Sequence, residues 1–222
     1  MDLTVIKVGG SLAAEPQKLR ALFQKLCVLS KEYKLVVVPG GAEFADTVRD
    51  MDKRFGLSNV ASHRMAVLAM DQYGLLLADL VPDSVAVWGV GDVNSIELGK
   101  LPIFLPSQLI FKEDPLENSW DVTSDSIALY LAARLGAKRV LFVTDVDGVF
   151  TSNPKVDKKA QLIQKLTAAD LSELGRTSVD KAFPKLLQQY RIDCYVLNGH
   201  HPTRVEAVMK NKKTICTLIS SS

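Results

Sequence analysis

Leu3-Thr4-Val5-Ile6-Lys7-Val8-Gly9-Gly10-Ser11 carries an apolar run into one cation, two glycines and a hydroxyl. The run reads as a buried strand, and the glycines end it in a turn. Glycine admits left-handed dihedrals and lets backbone approach a ligand with no side chain in the way. Free amide groups in such a turn make a concavity for an anion, and Lys7 adds a mobile charge on a long stem. The alternative is a plain strand and turn with a solvated lysine, and the nine residues alone do not separate the two.

Outward from this stretch the pattern alternates. Pro16 to Tyr33 reads as an amphipathic helix, and Leu35 to Val38 as a fully buried strand ending at Pro39-Gly40-Gly41. Ala42 to Phe55 and Ser58 to Leu80 carry helical spacing, with Val60, Met65, Leu68, Leu75 and Leu76 as candidate core positions. Strands follow near Val85 to Trp88 and Leu101 to Leu105, then a loop from Lys112 to Trp120. Ile127, Leu131 and Leu135 recur every fourth residue, so Thr123 to Leu135 reads as a helix with one buried face, ended by Gly136. Arg139 to Thr144 is another buried strand, and the Asp147-Gly148 pair after it suggests a tight turn into a hairpin. Helices near Leu166 to Leu174 and Pro184 to Tyr190, a strand at Asp193 to Leu197, a helix after Pro202 and a strand at Thr214 to Ile219 complete the chain. Repeated strand-helix-strand order with continuously apolar strands implies an α/β protein, a mostly parallel sheet with helices on both faces. Ligands of such sheets bind beyond the carboxyl ends of the strands. Four polar stations fall there: Lys7 to Ser11, Gly40-Gly41, Thr123 to Ser126, and Thr144 to Gly148.

At 222 residues and 47% hydrophobic content the chain can bury a full core, and one domain over residues 1–222 is expected. A net charge of +2 with both signs interspersed gives no basic stripe for nucleic acid or an anionic membrane. Cys27, Cys194 and Cys216 are odd in number and widely spaced, which argues against a disulfide framework or structural zinc. No leader-like segment precedes the first strand, and no run reaches the roughly 18 apolar residues that span a bilayer. A cytoplasmic protein acting on a small molecule is the expectation.

No G-x-x-x-x-G-K-[ST] is present, and Gly89-Val90-Gly91 is followed by Asn94 where a dinucleotide fingerprint needs glycine. Two separate Gly-Gly turns suggest instead two phosphate-bearing groups over one sheet edge, a donor and an acceptor. Together Lys7-Val8-Gly9-Gly10-Ser11, Pro39-Gly40-Gly41, Thr123-Ser124-Asp125-Ser126-Ile127-Ala128 and Thr144-Asp145-Val146-Asp147-Gly148-Val149 resemble, in order, the motifs of the amino acid kinase superfamily. That family includes acetylglutamate, aspartate, uridylate and isopentenyl phosphate kinases. Ala61 to Ala66, Ala69 to Gly74 and Trp120 to Asp125 look like its branch that makes a diphosphate from an aminomethyl-furanmethyl phosphate in methanofuran biosynthesis.

The resemblance implies a three-layer αβα sandwich, ATP with Mg2+, an acceptor half over about residues 1–120 and a nucleotide half over about 121–222. It implies Lys7 and Asp125 as catalytic groups, the carboxylate orienting the active-site lysines. A second lysine is expected at Lys185, after the Pro-Lys-Leu of that family, with Lys181 as alternative because Thr177-Ser178-Val179-Asp180 replaces its Gly-Gly-Met. Gly9, Gly10, Ser11, Thr144, Asp145, Asp147 and Gly148 are implied on the nucleotide side, and Gly40, Gly41, His63, Asp121 and Thr123 on the acceptor side. His63 could contact an acceptor phosphate or simply pack; His200 and His201 read as exposed. Asp145 and Asp147 could hold magnesium or shape their turn, so no metal ligand is assigned. Asp125 could also be an ordinary acidic helix start, with Thr123 or Ser124 as cap. The leading expectation is a phosphomonoester kinase. A carboxylate kinase making an acyl phosphate, and a non-catalytic anion store of the kind molybdenum storage proteins represent, remain beside it. The apolar Ser58 to Leu80 stretch could serve a homo-oligomer.

Overall fold

In the computed structural model of the chain, which describes residues 2–174 and 179–220, one eight-stranded sheet runs through both halves. Its strands are β1 (Thr4–Val8), β2 (Leu35–Pro39), β3 (Ser84–Val87), β4 (Leu101–Phe104), β5 (Arg139–Thr144), β8 (Lys165–Thr167), β9 (Asp193–Asn198) and β10 (Thr217–Ser220). Their order across the sheet is β3-β4-β2-β1-β5-β9-β10-β8. All neighbours are parallel except β10 against β9. A second, two-stranded sheet pairs β6 (Val149–Phe150) with β7 (Leu162–Ile163).

Strand pleating sends alternate side chains to two cores. Val5, Val36, Val38, Val140, Phe142, Cys194 and Val196 join the core with α6 (Ser124–Arg134) and α8 (Phe183–Tyr190). Ile6, Val8, Val37, Leu141, Val143 and Leu197 join the core with α1 (Pro16–Ser30) and α9 (Pro202–Met209). This is the expected three-layer αβα sandwich. Lys7 shares the face of Val5, so it points toward the layer that contains α6.

Helix α2 (Ala42–Phe55) follows the second Gly-Gly turn, and α3 (Asn59–Asp79) packs beside it and over β2, β3 and β4. The five residues of α3 expected in the core are all exposed: Val60, Met65, Leu68, Leu75 and Leu76. At about 100° per residue they occupy one arc of roughly 160°. The buried Ser62, His63, Val67, Met70, Tyr73, Gly74 and Leu77 occupy the other side. The helix is apolar on both faces, so periodicity alone selects the wrong one.

Other elements depart from expectation in instructive ways. The Asp147-Gly148 turn does not fold β6 back on β5, because β6 pairs with β7 across a loop, and Thr217 accepts the Val149 N–H at 2.8 Å. Lys165 to Thr167 form an edge strand, and only then does α7 (Ala168–Glu173) begin. The expected loop at Lys112 is the end of α5 (Ser107–Glu113), preceded by a short α4 (Val90–Ser95). Gly136, at φ +68°, does end α6 in the left-handed conformation.

Candidate active site

The two Gly-Gly turns lie against each other at the carboxyl edge of the central strands, but their glycines are needed for space rather than dihedral freedom. None of Gly9, Gly10, Gly40 and Gly41 has a positive φ. A Cβ on Gly10 would stand 2.5 Å from Ala42 Cα, and one on Gly40 would stand 2.8 Å from Gly10 N. Backbone packs on backbone, with the Gly40 N–H bonded to Val8 O and the Gly9 N–H to Val143 O, each at 2.8 Å. The left-handed residue is Ala42, at φ +46°, an uncommon conformation for a residue with a Cβ.

Between these turns Lys7 Nζ meets Asp125 Oδ1 at 2.7 Å, with both side chains about nine-tenths buried. Lys7 reaches the pair from the end of β1, and Asp125 from the first turn of α6, where free amides favour a carboxylate. Thr123 is the N-cap residue of α6 by position but makes no side-chain cap. Its hydroxyl donates instead to Asp180 at 2.9 Å, and Ser124 makes no cap either, so the expected local cap is supplied from elsewhere in the chain.

On one side of the pair, Ser11 lies in a 3-10 turn (Gly10–Ala14), within electrostatic reach of Asp145. Burial works to raise the Asp145 pKa, but Lys155 and Ser11 outweigh it and hold the carboxyl below its usual range. Asp147 is engaged by Arg204 at 2.6 Å and by Asn198 at 3.0 Å, which lower its pKa against the effect of burial. Thr144 lies where β5 ends, its carbonyl accepting the Gly199 N–H at 2.8 Å. At Gly148 a Cβ would run into the Thr217 hydroxyl. Among the described residues no three His, Cys, Asp or Glu side chains cluster as metal ligands.

On the other side is a small pocket lined by Gly41, Arg49, His63, Met70, Trp120 and Thr123 among others. Arg49 lies over the Trp120 ring at 4.9 Å, while the indole N–H donates to Asp52 at 2.7 Å. His63 is 5% exposed, and its Nε2 is buried without a hydrogen-bond partner among the described residues. Burial pushes its pKa down, against the charge of Asp114 and a bond to the Ser119 backbone.

The remaining candidates fall outside this convergence. Gly40 serves the backbone packing and does not line the pocket. Asp121 turns outward to pair with Lys181 at 2.8 Å. Lys185 is exposed on α8, and Lys181 is committed to Asp121, so neither touches the Lys7–Asp125 pair. Of the segment expected at the family's Gly-Gly-Met position, Thr177 and Ser178 lie outside the described residues. His200 is half-buried rather than exposed, with Nδ1 3.6 Å from Glu15; His201 is exposed. Sequence reasoning met Trp120 and Asp180 only inside longer family-like stretches and gave neither a role.

A three-layer sandwich with a lysine–carboxylate pair held between two glycine turns at its edge is the frame of a phosphotransferase. The chain belongs to the amino acid kinase family, whose model matches residues 2–86 and 93–198. It is 36% identical over 215 residues to the [5-(aminomethyl)furan-3-yl]methyl phosphate kinase of Methanocaldococcus jannaschii, covering 97% of this chain and 96% of that protein. It is 26% identical to the uridylate kinase of Methanosarcina barkeri, over 93% of this chain and 91% of the relative. The crystal structure of the uridylate kinase from Archaeoglobus fulgidus superposes with a TM-score of 0.77 over 99% of this chain and all of the other, at 20% identity, a likeness of fold. The chain is accordingly an ATP-dependent phosphotransferase.

Proposed function

We propose that the protein transfers the γ-phosphoryl group of MgATP to a small phosphomonoester, of the class of [5-(aminomethyl)furan-3-yl]methyl phosphate, to give a diphosphate. The Lys7–Asp125 pair carries this reading, with support from the relative at 36% identity. An ionised oxygen of the acceptor phosphate attacks the γ-phosphorus; the new O–P bond forms as the bond to the β-phosphate oxygen breaks, and ADP departs. The nucleophile is already an anion, so no general base is required, and the work is positioning and charge neutralisation. Lys7 supplies a cation between donor and acceptor, and Asp125 fixes where that cation stands. Gly9, Gly10, Ser11, Thr144, Asp145 and Gly148 are assigned to the nucleotide side, with Asp147 ordering its turn. Gly41, Thr123, His63 and Arg49 are assigned to the acceptor side, next to Trp120, and the His63 Nε2, which has no partner among the described residues, is available to a polar group of the acceptor. Asp125, Asp145 and Asp147 are each taken by a cation of the protein, so magnesium arrives with the ATP phosphates as part of the substrate.

The test is acceptor-dependent ADP release by purified protein with MgATP and a panel of phosphomonoesters and amino acids. Phosphorus NMR of the product should show a newly formed P–O–P linkage. Turnover confined to carboxylates would replace this reading by an acyl-phosphate kinase, and no acceptor-dependent turnover would leave a binding protein.

We further propose a homo-oligomer built on the apolar arc of α3, since a two-fold pair of such helices would cover Val60, Met65, Leu68, Leu75 and Leu76 at once. Sedimentation of Leu68→Glu and Leu75→Glu variants should show the protomer, and an unchanged assembly would remove α3 from the interface. The three free cysteines fit a reducing, cytoplasmic setting.

A further inference from the structure

Asp180 is a half-buried carboxylate, surrounded by donors and without a cation partner among the described residues. Its Oδ2 accepts the Thr123 N–H at 2.8 Å, the Thr123 hydroxyl at 2.9 Å and the Ser126 N–H at 3.0 Å. Its Oδ1 accepts the Ser126 hydroxyl at 2.5 Å and the Phe183 N–H at 3.0 Å. Burial first, and then the nearby Asp125 charge, push its pKa up, and the donors from Ser126 and Thr123 oppose them. Placing a second carboxylate beside Asp125 is unfavourable unless it does something that a neutral cap would not.

Its position says what that is. Two of the free amides at the start of α6 are satisfied by Asp180, from 54 to 57 residues further along the chain. The same short segment is stitched to the start of α6 twice more, by the Ala182 N–H to Asp121 O at 3.2 Å and by the Lys181–Asp121 ion pair. The residues so held are Thr123, which lines the acceptor pocket, and Ser126, the chain neighbour of Asp125, which grips Lys7. The segment that holds them runs directly into α8.

We propose that Asp180 is a positioning residue of the phosphoryl transfer, a remote carboxylate that sets the first turn of α6 and thereby the Lys7–Asp125 pair. It also ties the acceptor wall at Thr123 to the nucleotide half. The inference rests on the kinase reading for its kinetic consequences, whereas the clasp itself can be tested without turnover.

Asp180→Asn is nearly isosteric but presents an NH2 to donors that need an acceptor. The expected result is a folded enzyme with kcat down about tenfold or more and the KM for ATP changed by less than about threefold, as for a group acting on the transition state. A plain helix cap would lower Tm and leave kcat of the folded protein unchanged, and that result overturns the proposal. Because Asp180 acts through the pair, adding Asp180→Asn to Lys7→Ala should cost less than about twofold beyond Lys7→Ala alone. A further full loss in the double variant also overturns it. Should Asp180→Asn fail to fold, Ser126→Ala removes the hydroxyl bond to Asp180 Oδ1 and keeps the backbone one, and a kcat within twofold of the parent would then overturn positioning. Amide hydrogen exchange reads the clasp independently: Thr123 and Ser126 should lose protection in Asp180→Asn whether or not the parent turns over any acceptor. If the parent is inactive while protection is lost, the kinase reading fails and the clasp stands; retained protection removes the clasp.

Discussion

Replacing Lys7 by alanine tests the centre of the reading, because the structure separates two costs that the substitution incurs. The first is structural. Lys7 and Asp125 are about nine-tenths buried and 2.7 Å apart, so the variant leaves a buried carboxylate without its cation. Breaking such a pair costs about 3 kcal/mol, which for a chain of this size is a fall of about 6–12 °C in Tm. The second is catalytic. Loss of one charge contact to the moving phosphoryl group costs about 10²- to 10³-fold in kcat. The double variant Lys7→Ala/Asp125→Asn tells them apart: neutralising the stranded carboxylate should recover part of the Tm and none of the kcat. The assay is ADP release under saturating MgATP and acceptor, well below the lower of the two melting temperatures. A Lys7→Ala enzyme within about threefold of the parent kcat would refute the assignment of Lys7 to the transition state.

Four further outcomes follow from the geometry. His63→Gln should raise the KM for a phosphomonoester acceptor about tenfold and leave the KM for ATP unchanged, in line with about 1.4 kcal/mol for one buried polar contact. The same variant should lose less stability than the parent as pH falls from 7 to 5, since a histidine whose folded pKa is depressed stabilises above its unfolded value and loses that contribution as pH drops; melting curves across that range decide it. Gly10→Ala should separate the two turns, because its Cβ would stand 2.5 Å from Ala42 Cα, lowering Tm and raising the KM for ATP together; an unchanged KM would show that the turn does not face the nucleotide. Ala42→Gly should relieve a residue at φ +46° and raise Tm by about 1–2 °C, the left-handed cost slightly exceeding the entropy of glycine; a lower Tm would show that the Ala42 methyl contributes more by packing.

How far the fold could be read in advance depended on what each element faces. Strands such as Leu35–Pro39 are buried on both sides, so they appear as unbroken apolar runs with glycine at the end, and their parallel order follows. The site was legible where chemistry and position coincide in one short segment, as in Lys7 at a strand end or Asp125 in a first helical turn. It was not legible where two segments meet only in space. Asp180 has no motif of its own, and its partners Thr123 and Ser126 are more than fifty residues away. Trp120 is one aromatic residue in a loop until folding brings it over Arg49.

The glycines teach a narrower point, and it bears on how the site works. Gly-Gly invites an explanation from left-handed dihedrals, and that explanation fails at all four positions while a non-glycine, Ala42, adopts the left-handed conformation. What Gly10 and Gly40 permit is contact between two turns that belong to different strands. If the two turns hold donor and acceptor as proposed, a phosphoryl group passing between them needs the turns in contact, and a Cβ at either glycine would prise them apart. On the proposed reaction, the pair of turns would set the distance over which the phosphoryl group moves, and Lys7, rising from the strand between β2 and β5, would be the cation placed to accompany it.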